Sequence, residues 1–292
     1  MSMEIEKVFH PTDFTEASHR AFAHALRLAV GLKSGLTVFH TEAHNPSASW
    51  EEFPHVRQLL ESWGMIPPHS PREAIIDLGI GVEKVSAAHR SARESVLKYL
   101  EKYPHDLIVL ATHQHTGLYR WLSRSIAEPV ARRSGEMALF IPARGPGFVS
   151  FQRGEVSLRN ILIPVDIAPS PQLAIETAET LVRALGVTDV NYYLLRTRGQ
   201  GSPGVIERSE SGSGRRITLS DDRDPLKAVL HGCDKVAADL VVTCADSSGG
   251  VAERITGSLT ARIVRLAPCP VFTVPAGLAF EGAIPEILLP GF

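Results

Sequence analysis

Short apolar runs alternate with longer amphipathic stretches along the whole chain. The run from Glu6 to Thr12 predicts a strand, and Phe14 to Leu32 predicts a helix with Ala21, Ala25, Leu28, Ala29 and Leu32 on one stripe. Thr15 or Ser18 is placed to cap that helix. Leu36 to His40 predicts a second strand. Two helical stretches follow, Trp50 to Trp63 and Arg72 to Leu78, broken by Pro67-Pro68. Then come a strand at Val82 to Ala88, a helix at Ser91 to Tyr103, a strand at Leu107 to Ala111, a helix at Tyr119 to Arg133 and a strand at Ala138 to Ile141.

The second half repeats the pattern. Strands are predicted at Asn160 to Val165, Val190 to Leu195, Arg216 to Leu219, Leu240 to Cys244 and Val271 to Val274. Helices are predicted at Gln172 to Leu185, Pro225 to Ala237 and Ser258 to Arg265. The stretch Thr197 to Gly214, rich in Gly and Ser, reads as a mobile loop where the first half has helices.

Spacing turns this likeness into a repeat. Asp106 and Ser125 are 19 positions apart, as are Asp239 and Ser258. Ser125 and Pro142 are 17 apart, as are Ser258 and Pro275. Each half opens on an apolar run reaching Pro-x-Asp, at Pro11-Thr12-Asp13 and Pro164-Val165-Asp166. Gly and Pro punctuate at Arg144-Gly145-Pro146-Gly147. The chain is therefore divided into domains at residues 1–148 and 156–277, the second one shortened, with an apolar tail over 278–292.

Alternating strands and helices predict α/β architecture: two tandem doubly wound domains, each a parallel sheet with helices on both faces. Ligands of such sheets bind beyond the carboxyl ends of the strands, at the switch point. Asp13, Asp166 and the loops after Ala111 and Cys244 fall at that edge.

Composition changes this picture little. The chain is 44% hydrophobic and 21% charged with a net charge of -2, which gives no global attraction to nucleic acid or an anionic membrane. No apolar run approaches a membrane span, the N-terminus lacks a secretory pattern, and a soluble cytoplasmic protein is expected. The three cysteines, Cys233, Cys244 and Cys269, match no bridge or zinc framework and read as small buried thiols.

Eleven of the 12 histidines precede residue 116. His10, His40, His44, His113 and His115 gather at the strand ends of the first half. They read as a hydrogen-bonding cleft rather than a metal centre, since no cysteine joins them. His19, His24, His55, His69, His89 and His105 read as exposed. Trp50, Trp63 and Trp121 read as helical packing residues. No Gly-x-Ser-x-Gly turn supports Ser125 as a nucleophile, so catalysis is the weaker expectation.

The paired Pro-x-Asp strands, Asp106-Leu107-Ile108-Val109, Gly257-Ser258 and Ala267-Pro268-Cys269-Pro270-Val271 together resemble the universal stress protein family. The resemblance implies a five-stranded parallel sheet of order 3-2-1-4-5 in each half. It also implies a pseudo-dimer in which the two last strands pair within one chain, and further association into a homodimer stays open. It implies a stress-response binding or sensor protein.

The family's ATP-binding branch carries Gly-x-x-Gly, nine residues, then Gly-Ser or Gly-Thr, whose amides face phosphate at a helix start. In the first half those positions hold Ala111, Gln114, Arg124 and Ser125, so the motif is degenerate. In the second they hold Cys244, Ser247, Gly257 and Ser258, which keeps the final pair. The expected ligand is ATP or another adenine nucleotide in the second domain, near Asp166, Cys244, Ser247, Gly257 and Ser258. Asp13 and Ser125 are the first-domain counterparts. The alternatives are an interaction scaffold without nucleotide and, less favoured, a hydrolase.

Overall fold

The protein is described by a computed structural model covering residues 4–41, 50–51, 53–87, 91–112, 136–143, 145, 147–165, 171–197, 206–208, 214–245 and 259–276. In the first half, strand β1 (Lys7–Thr12) leads into helix α1 (Glu16–Leu32) and strand β2 (Gly35–Thr41). Helices α2 (Val56–Ser62) and α3 (Ala74–Asp77), strand β3 (Val82–Ala87), helix α4 (Ala92–Lys102) and strands β4 (Leu107–Thr112) and β5 (Met137–Pro142) follow.

The second half runs β6 (Asn160–Pro164), α5 (Pro171–Ala184), β7 (Val190–Arg196), β8 (Ile206–Arg208), β9 (Gly214–Ser220), α6 (Pro225–Val236), β10 (Leu240–Ala245), α7 (Leu259–Leu266) and β11 (Val271–Pro275). No helix among these residues is long and apolar enough to cross a membrane.

The eleven strands among the described residues form one sheet, in the order β3-β2-β1-β4-β5-β11-β10-β6-β7-β9-β8. Each half contributes five parallel strands in the order 3-2-1-4-5. The halves meet where β5 pairs antiparallel with β11, through Phe140–Val271, Leu139–Phe272 and Ala138–Thr273. The expected internal pairing of last strands is present. Strands β4 and β5 are buried at every position, as central strands covered on both faces must be.

The two faces differ. On one, a single core runs across both halves beneath α1 and α5 and joins Phe22, Leu26, Leu139, Ala178, Val182 and Phe272. On the other, separate cores form under α4, around Phe9 and Phe39, and under α6 and α7, around Leu162 and Ile263. Gly31 lets α1 and α5 touch, because a Cβ there would lie 2.1 Å from the Ala184 carbonyl oxygen. The Arg27 guanidinium donates to the Leu185 carbonyl 3.2 Å away.

The repeated aspartates do the same work in each half. Asp106 Oδ2 accepts from the Glu6 and Lys7 amides at 2.8 and 2.9 Å. Asp239 Oδ2 accepts from the Arg159 and Asn160 amides at the same two distances. Each carboxylate thus ties the entry of the first strand to that of the fourth.

Three expectations are corrected. Trp50 lies in a turn, and α2 begins only at Val56, since the Phe53-Pro54 step disfavours a helix. The Gly- and Ser-rich segment holds β8, which pairs antiparallel with β9 and makes a hairpin at the sheet edge. His24 and His105 are buried, at 0% and 6% exposure, and His19 is half-buried. The connection after Gly147 is packed against both halves. Phe148, Val149 and Leu158 enter the shared core, and Val149 bridges Val156. The predicted helix at 119–133 and the tail at 278–292 lie outside the described residues.

Candidate functional site

The switch point of the first half lies at the carboxyl ends of β1 and β4, which are neighbours although six elements of chain separate them. There the turn after β1 is built from its own side chains. Thr12 Oγ1 accepts from the Phe14 amide and the Ser18 hydroxyl at 3.1 and 2.9 Å. Asp13 Oδ1 accepts from the Thr15 amide and hydroxyl at 3.1 and 2.7 Å, and Thr15 Oγ1 caps α1 through the Ser18 amide.

This turn holds Phe14 at φ 62°, a left-handed conformation that a bulky residue rarely adopts. The strain delivers its ring onto His40, with centroids 4.1 Å apart and planes 20° from parallel. Trp50 and Phe53 close on the same ring at 5.2 and 5.7 Å. Lys84 Nζ stands 5.1 Å from the centres of both. The side of the first-half site nearest β2 is therefore occupied by the protein's own aromatic cluster.

His10 and His40 are buried core residues. His10 Nδ1 donates to the Val109 carbonyl at 2.9 Å, and burial pushes the imidazole down to about 4. His40 Nδ1 donates to the Thr12 carbonyl at 3.0 Å. Burial lowers His19 too, with Asp13 and Glu16 opposing. The Nε2 atoms of His10, His19 and His40 are buried without a hydrogen-bond partner among the described residues. No group of three or more His, Cys, Asp or Glu among those residues is spaced to hold a metal.

Asp13 and Cys244 are the two predicted site residues that the structure describes, and they belong to different halves. Asp13 orients the β1–α1 turn, and Cys244 is packed in the shared core near the end of β10, beside Val274 of β11. Ser125, Asp166, Ser247, Gly257 and Ser258 lie outside the described residues, as do His44, His113 and His115. Sequence reasoning missed Phe14 and Trp50 as site-filling groups. Their aromatic character was visible, but a positive φ at Phe14 has no sequence signal.

Residues 4–142 match the Universal stress protein family. A universal stress protein from Archaeoglobus fulgidus is 17% identical, with 92% of this chain and 96% of that chain covered and a TM-score of 0.56. A functionally unknown protein from Pseudomonas aeruginosa is 10% identical, with 93% and 92% covered and a TM-score of 0.58. These likenesses concern the fold. No curated protein matches the chain. The first half of the chain, residues 4–142, is thus similar to the universal stress protein family, and the second half repeats its strand order.

Proposed function

We propose that this protein is a cytoplasmic stress-response binding protein whose second half takes an adenine nucleotide, while its first half has become structural. The observation that carries this reading is the Phe14 ring stacked on His40, with Trp50 and Phe53 around it, at the carboxyl end of β1. Flat side chains there compete with any flat ligand. Among the described residues the second half has no counterpart of α2 between its second and third strands, and β8 stands there. Retention of Gly257-Ser258 supports phosphate contact there, with Asp166 at the nucleoside end and Cys244 and Ser247 at the two preceding motif positions.

Calorimetry with ATP and magnesium tests this reading. The intact chain should bind one nucleotide, and Gly257→Arg should abolish the heat while leaving the far-ultraviolet circular dichroism unchanged. A folded wild-type chain that gives no heat at millimolar ATP sinks the nucleotide reading.

A second reading, an interaction scaffold, is favoured by a groove of about 630 Å³ beside the edge strand β3. Arg57, Arg72 and Lys84 line it with His55, Val56 and Ile75, so its cations outnumber its one carboxylate, Glu83. That composition suits an acidic protein partner. The internal β5–β11 pairing supplies the strand pairing that the family resemblance leads one to expect between two chains.

A further inference from the structure

Building on the scaffold reading, we infer that the groove beside β3 takes an extended acidic peptide, which adds to the sheet as a further strand. Strand β3 ends the sheet, and β2 is its one strand neighbour among the described residues. The Leu36 amide donates to the Gly81 carbonyl at 2.8 Å, and Leu36 stands in register with Val82. Successive residues of a strand turn their amide and carbonyl to opposite sides. Glu83 and Val85 therefore bond toward β2, whereas Val82, Lys84 and Ser86 present theirs at the open edge. Such an edge is a template for another chain.

The side chains around this edge select its occupant. Val82 and Lys84 share the groove with Arg57 of α2, Arg72 and Ile75. Arg57 lies 3.8 Å from Glu61, but neither Arg72 nor Lys84 has an ion-pair partner among the described residues. The Lys84 ammonium is instead held over Trp50 and Phe53, which fixes its charge beside the edge. The Ser86 hydroxyl oxygen holds Trp50 in turn, accepting from the indole Nε1 at 2.8 Å.

An edge lysine discourages strand addition, because covering it unpaired costs free energy. A carboxylate beside it removes that cost, so this edge admits an acidic strand and excludes neutral or basic ones. A second copy of β3 would set Lys84, Arg57 and Arg72 against their own like charges, which disfavours self-pairing. Side chains of an added strand alternate between faces, so carboxylates at every second residue all reach the face that Lys84 shares with the arginines. Main-chain hydrogen bonds to Val82, Lys84 and Ser86 supply affinity, and the carboxylates supply specificity.

Fluorescence anisotropy of the full-length chain tests this with three labelled peptides. One alternates Glu and Val, one alternates Lys and Val, and one is the Glu-Val peptide with every backbone amide N-methylated. The Glu-Val peptide alone should bind. Arg72→Glu should weaken it by about tenfold or more. Ser86→Pro removes an outward amide without touching the β2 ladder and should weaken it too, whereas Ser86→Ala should bind as the wild type does. Equal binding of the Glu-Val peptide and its N-methylated copy, both lost in Arg72→Glu, overturns strand addition and leaves the scaffold reading standing on charge alone. Equal binding of the Glu-Val and Lys-Val peptides overturns the acidic specificity. A folded chain that binds none of the three overturns the inference and the acidic-partner scaffold together.

Discussion

His24 Nε2 accepts a hydrogen bond from the Phe148 amide at 3.0 Å, and a second comes from the Val149 amide at 3.1 Å. Since Nε2 accepts, Nδ1 carries the proton, which it donates to the Arg20 carbonyl at 2.8 Å. One neutral imidazole on α1 thus fastens the connection between the halves. Gly147, at φ 65°, allows the approach, for a Cβ there would lie 2.5 Å from the ring. Replacing His24 with Leu strands two buried amides and should cost about 2–4 kcal/mol. Urea denaturation measures the loss, and His24→Gln, which keeps an acceptor, should recover part of it.

Acid should weaken the fold through the same groups. Burial pushes His10 and His24 each down to about 4 from 6.5. Between those values the unfolded chain binds more protons than the folded one. Stability therefore falls as pH drops through that window and levels off below about pH 4, with each histidine contributing about 3 kcal/mol to the total loss. Denaturant midpoints between pH 7 and pH 4 check this, and His24→Gln should show a shallower decline.

The contact of α1 with α5 should be intolerant of any side chain at position 31. A Cβ on Gly31 would overlap the Ala184 carbonyl oxygen, so Gly31→Ala forces the helices apart, although alanine is the better helix former. A fall of about 1–3 kcal/mol in stability is expected, read by thermal unfolding. A stabilised Gly31→Ala variant would show that the two helices do not touch there.

Asp106→Ala and Asp239→Ala should be matched in effect, because each carboxylate holds the same pair of strand-entry amides. A loss of about 1–3 kcal/mol is expected for either, with Asn partly restoring it. Chemical denaturation of the two variants side by side tests the equivalence, and a large inequality would argue against the repeat having a common mechanical role.

The hydrophobic pattern by itself determined ten of the eleven described strands, the parallel α/β class and the repeat. Periodicity reports burial locally: β4 and β5 read as continuous apolar runs because both faces are covered. The equal spacing of Asp106 and Asp239 to their following serines carried the repeat, and both aspartates do the same work. The tertiary structure alone decided the rest, because it depends on residues distant in sequence. Polar content made His24 look exposed, but partners 124 and 125 positions away pay for its burial. Phe14 became a plug through a backbone angle that the β1–α1 turn imposes. Local sequence encodes which side chains seek the core, and packing decides which of them meet.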